Sequence, residues 1–125
     1  MSDVKITKKD IKEFVEAAHG DLDKVRRLLA AKPGLRDLPN GRETALGAAC
    51  QMKRPDIIAF LLEQGAPLDI WAACVLGDTA RVAAFLDADP SLASAKNPAS
   101  HGKTPLALAA GHPEVTALLQ SRGAT

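Results

Sequence analysis

The side chains in this sequence whose types could support chemistry are a Gly102-Lys103-Thr104 run, three histidines and two cysteines. A Gly-Lys-Thr run ends the loop in which backbone N–H groups cradle a nucleotide's phosphates, but that loop needs a glycine five residues before Gly102. Asn97 stands there, and the pattern predicts no strand to feed such a loop. Thr104 therefore reads as a helix cap. His19, His101 and His112 fall at turns, with no pair at i, i+4 and no cysteine at metal-ligand spacing. Cys50 and Cys74 each lie three residues before a turn position, Lys53 and Gly77. That equivalence puts them on neighbouring helices as small buried residues in preference to a redox pair, because a disulfide needs a close Cα approach that stacked helices seldom give. No catalytic residue, cofactor or metal site is expected.

Composition narrows the classes further. Hydrophobic residues make up 46% of the 125 positions but aromatic residues only 3%, which suits thin Ala and Leu helix interfaces better than a bulky globular centre. A net charge of +1 gives no electrostatic grip on nucleic acid or an anionic membrane. The N-terminal Met-Ser-Asp-Val-Lys-Ile-Thr-Lys-Lys-Asp has no apolar leader core, and no stretch approaches a membrane span. A soluble, cytoplasmic monomer is the expectation, and two cysteines without a framework spacing fit a reducing compartment.

The elements that must position any functional residue are clearest from Thr44 to Ala66. Thr44 is a good N-cap, and Ala45, Gly47, Ala48, Ala49 and Cys50 make a thin helix that a neighbour can approach closely. Pro55 starts a second, thicker helix in which Ile57, Ile58, Leu61 and Leu62 recur at helical spacing, and Gly65 stops it. The same order occurs earlier. Thr7 and Asp10 have capping-box spacing, Ile11, Phe14, Val15 and Ala18 follow, and Asp21 caps a helix carrying Leu22, Val25, Leu28 and Leu29. Val25 to Ile58, Leu28 to Leu61 and Leu29 to Leu62 are each 33 positions apart.

That period, with Thr-Ala-Leu at 44–46, Ile-Ile at 57–58, Leu-Leu at 61–62 and Gly65-Ala66, resembles the ankyrin repeat. Gly102-Lys-Thr-Pro-Leu106 and Gly111-His112 resemble it more closely still, and the chain is similar to small bacterial ankyrin-domain proteins. The resemblance implies an all-α solenoid of about four helix-turn-helix repeats in a single domain, 1–125, with repeats at roughly 7–35, 36–66, 67–92 and 93–125. It also implies hairpin-like fingers between repeats. Pro39-Asn40-Gly41 is the turn of the first, although Gly41 lies one position earlier than the family pattern has it, leaving Arg42 in its place.

The third unit departs from the period. Ile58 to Val82, Leu61 to Phe85 and Leu62 to Leu86 are only 24 positions apart, and Ala66-Pro-Leu-Asp69 leads straight into Ile70-Trp71. This repeat has lost its finger. Gly20-Asp21 recurs as Gly77-Asp78 after 57 positions, whereas Thr44 recurs as Thr104 after 60, so the second finger, roughly 93–103, is three residues longer than the first. The last inner helix is expected to be short, because Ala110 meets Gly111 directly.

By the same resemblance the function is non-enzymatic protein–protein interaction with an unidentified partner protein, with no nucleic acid and no membrane. Finger-tip residues Asn40, Arg42, Glu43, Lys96, Asn97, Ser100, His101 and Lys103 are expected to supply polar specificity. Gln51, Met52, Trp71, Val75 and Leu76, at the ends of the inner helices, are expected to form an apolar groove. Trp71 reads equally well as a binding anchor and as a filler of the space left by the missing finger, covering Gly47. The alternatives are a small-ligand-binding or enzyme-regulating subunit acting through Cys50, Cys74 or a histidine, and a scaffold without a specific partner.

Overall fold

A computed structural model describes residues 5–125; the first four residues of the N-terminal stretch read above lie outside them. The described residues form eight α-helices in four pairs: α1 (Lys8–Ala17) with α2 (Leu22–Ala31), α3 (Ala45–Gln51) with α4 (Pro55–Glu63), α5 (Ile70–Leu76) with α6 (Thr79–Ala88), and α7 (Pro105–Leu108) with α8 (Pro113–Ser121). Each inner helix starts at a side chain that accepts a hydrogen bond from an otherwise unpaired backbone N–H. Thr7 and Asp10 cap each other's backbone, Thr44 accepts from Gly47, Asp69 from Ala72 and Thr104 from Ala107. Asp21 and Asp78 do the same for α2 and α6, while α4 and α8 begin with Pro55 and Pro113.

The inner helices stack in order, α1 on α3, α3 on α5 and α5 on α7. Small side chains make this possible: Ala45, Ala48, Ala49 and Cys50 on α3 and Ala72, Ala73 and Cys74 on α5 are all fully buried. Behind them the outer helices supply the larger groups, Val25, Ile57, Ile58, Leu61, Val82, Leu86, Val115 and Leu119, each removed from solvent. Burial at about 1.5–3 kcal/mol per such side chain provides the main driving force for folding. In the outer layer α2 packs on α4 and α6 on α8, and only six residues join α4 to α5.

One turn differs from what its sequence equivalence suggests. Lys53 and Gly77 both adopt the left-handed conformation, φ 52° and 73°, and each is followed by a hydrogen bond back into the last helical turn, Arg54 N–H to Ala49 O and Asp78 N–H to Ala73 O. Gly20 is not left-handed; there Asp21 N–H returns to Ala17 O and α1 unwinds through Ala18. α7 is indeed short, four residues against seven in α3 and α5.

The fingers close on themselves through isolated antiparallel bridges, Asn40 with Glu43 and Asn97 with Lys103. The first is a tight turn with positive φ only at Gly41, the pattern of a type II′ hairpin, which accommodates Arg42 at the next position. Asn40 to Asn97 is 57 positions and Glu43 to Lys103 is 60, so the three additional residues lie inside the second bridge. They form the 3₁₀ turn Pro98–Ser100, and this turn packs on α3, two inner helices back from the α7 that the finger precedes.

Candidate protein-binding surface

The second finger reaches α3 because the intervening repeat has no finger to block it. Ser100 is fully buried, and its hydroxyl donates to Gly47 O at 2.7 Å while accepting from the Asn97 amide at 3.0 Å. Asn97 in turn accepts from Ala99 N–H through its Oδ1. Asn97 and Ser100 are therefore not tip residues as the sequence reading had them. They are the buried polar frame of the finger, and a fully satisfied one. Gly47 is covered by Ala99, not by Trp71: a Cβ on Gly47 would overlap the Ala99 carbonyl.

Trp71 acts one step away. Its half-buried indole donates from Nε1 to Ala95 O at 2.9 Å, holding the base of the same finger. Val75, expected to face the groove, is buried at 5% exposure because α5 is clasped on both sides by α3 and α7. Its carbonyl instead meets His112 Nε2 at 2.8 Å. Leu76 and Gln51 are half-buried, and the Gln51 Oε1 is enclosed without a partner. Met52, at the end of α3, is the one large apolar side chain among the described residues that is broadly exposed, at 50%.

The two fingers meet at Glu43. Its Oε2 accepts from His19 Nε2 at 3.0 Å and from His101 Nε2 at 3.2 Å, so one carboxylate joins the end of α1 to both fingers. Its side chain is only 14% exposed. His19 was not among the expected site residues, since nothing in its spacing links it to Glu43 or His101. Asn40, Arg42, Lys96 and Lys103 are exposed. Asn40, Arg42 and Glu43 from the first finger and Lys96, Pro98, His101 and Gly102 from the second enclose a cleft of about 800 Å³.

Cys50 and Cys74 are free and fully buried on adjacent helices. Burial, assisted by the nearby Asp69 carboxylate, pushes the Cys74 thiol up to about 12 and raises Cys50 as well. Among the described residues no group of three or more His, Cys, Asp or Glu side chains is placed to hold a metal ion, and no helix is long and apolar enough to cross a membrane.

The repeats are stitched by side chains that bond to the backbone of a neighbouring repeat. Arg54 donates to Gly20 O at 2.9 Å and His112 bonds to Val75 O, while Arg36 ties the two ends of the second repeat by donating to Gln64 O at 2.9 Å. Arg26 lies 4.8 Å over the Phe60 ring, linking α2 to α4.

No curated protein matches the chain. A family model of ankyrin repeats in three copies matches residues 14–125, from within α1 to the last residue. With stacked helix pairs, intervening fingers and a match over nearly its whole length, the chain belongs to the ankyrin repeat family, whose members are in general protein–protein interaction modules.

Proposed function

We propose that the chain is a non-enzymatic binding module that holds one partner protein across its two finger tips, with Met52 and the half-buried Leu76 adding apolar contact beside them. The observation that supports this most is the joining of the two fingers into one face through His101 and Glu43, with the second finger anchored on α3 through Ser100 and Gly47. A pre-assembled face loses little conformational freedom on binding, so its contacts convert more fully into affinity. The two free buried thiols favour a reducing, cytoplasmic setting, and the module acts as a monomer.

Affinity capture from host lysate tests this reading, with wild type beside Met52→Ser and a Lys96→Ala/Lys103→Ala variant, each checked for native helix content. One protein retained by wild type and lost with a folded surface variant is the expected result. Nothing retained above background would reject the reading in favour of a scaffold or a small-ligand subunit.

A further inference from the structure

We propose that the cleft between the finger tips receives an acidic segment of the partner protein, with the segment's carboxylates against Arg42 and Lys96. This rests on the interaction-module reading and specifies what the partner presents. Both cations are exposed at the cleft, and neither has an ion pair or hydrogen bond among the described residues. Four other arginines, Arg36, Arg54, Arg81 and Arg122, each have an aspartate partner, Asp37, Asp56, Asp78 and Asp87.

The one acid lining the cleft does not neutralise them. Glu43 is largely covered, and its Oε2 is occupied by His19 and His101. The wall that reaches solvent is therefore positive although the chain as a whole is nearly neutral at +1. A local field of this kind steers and selects an oppositely charged partner without making the whole surface sticky.

The shape favours a peptide segment over other anions. At about 800 Å³ and open to solvent, the cleft takes several side chains of an extended chain and does not enclose a small ion. The Asn40 amide and the Pro98 ring offer a polar and an apolar contact that such a segment can also use. A nucleic-acid strand would find no extended basic track on a chain whose net charge is only +1.

The test is peptide display of random segments on the full-length chain, followed by fluorescence anisotropy with the selected peptides. Three forms are compared: wild type, Arg42→Ser/Lys96→Ser in the cleft, and Lys8→Ser/Lys9→Ser on exposed α1 positions as a control with the same net charge. Peptides rich in Asp and Glu are expected from wild type, with affinity falling about tenfold in the cleft variant and staying within about twofold of wild type in the control. Raising NaCl from about 50 to about 500 mM should weaken binding at least about threefold.

Selection of peptides without acidic residues, an equal loss in the control, or equally tight binding of a single-stranded RNA 12-mer would each overturn the acidic-segment assignment. So would the absence of any selected peptide. None of these outcomes decides the interaction-module reading, which stands or falls on the lysate capture, where Met52→Ser lies outside the cleft.

Discussion

The hydroxyl of Ser100 donates a 2.7 Å hydrogen bond to the carbonyl oxygen of Gly47, 53 positions earlier and two inner helices away. That contact exists because of one loss and one gain in the chain. The repeat containing α5 has no finger, which leaves the side of α3 uncovered, and the next finger carries three additional residues, Pro98–Ser100, which cover it. Deletion and insertion are thus compensating changes in one piece of packing.

Gly47→Ala should consequently destabilise the protein even though alanine is the better helix former. The new methyl would meet the Ala99 backbone, and displacing that turn should cost about 1–3 kcal/mol in urea unfolding. In a variant lacking Pro98, Ala99 and Ser100, the same substitution should lose its penalty. A double-mutant cycle reads the difference directly. Equal penalties in both backgrounds would mean that the finger does not press on Gly47.

Lys53 and Gly77 occupy equivalent left-handed turns, and opposite effects are expected from changing them. Lys53→Gly removes an unfavourable backbone conformation and should raise stability by about 1 kcal/mol. Gly77→Ala introduces that conformation and also sets a methyl against the His112 ring, whose Nδ1 would lie 2.6 Å away, so it should cost at least about 2 kcal/mol. Thermal unfolding of both variants checks the pair; a destabilised Lys53→Gly protein would contradict the strain argument.

The repeat register, the caps and the missing finger were legible in the sequence because local chemistry determines them. Thr7, Asp21, Thr44, Asp78 and Thr104 need only the next few residues to act as caps, and a 24-residue step in a 33-residue period can be counted. The long-range consequences were not legible. Asn97 and Ser100 look like tip residues by polarity and are buried because the turn folds onto α3. Val75 counts as a groove position by register and is buried because both neighbouring helices close on α5. The Glu43 meeting with His19 and His101 joins three segments with no shared spacing.

Cys50 and Cys74 should resist alkylation while the protein is folded. The thiolate is the reactive form, and burial holds Cys74 at about 12 and raises Cys50 too, so at about pH 8 neither supplies thiolate or access. Mass spectrometry after iodoacetamide treatment should find both unmodified in the native protein and both modified in urea. Rapid native alkylation of either would show that α3 and α5 open readily.

Asp10 should titrate at about 2, chiefly because the Lys32 ammonium donates to its carboxylate at 2.6 Å, with the Thr7 backbone N–H adding to the effect. Its folded value is depressed relative to an unfolded value of about 3.9, so its contribution to stability is present above that unfolded value and is lost as pH falls through about 2. Carboxyl carbon NMR follows the titration directly. Lys32→Ala should move the midpoint upward, and an unchanged midpoint would assign the shift to the cap alone.

Trp71→Phe separates the indole's hydrogen bond from its bulk. If the bond to Ala95 O holds the base of the second finger, losing it should cost about 1 kcal/mol and speed amide exchange at Asn97 and Gly102, whose N–H groups bond to Lys103 O and Asn97 O within that finger. The amides of α1 and α2 should be unaffected, since Trp71 lies in the third pair. A partner anchor would behave differently, because the substitution would weaken partner capture while leaving exchange in the finger unchanged. The expected result is faster exchange confined to residues 95–103, with any loss of capture following from the loosened finger.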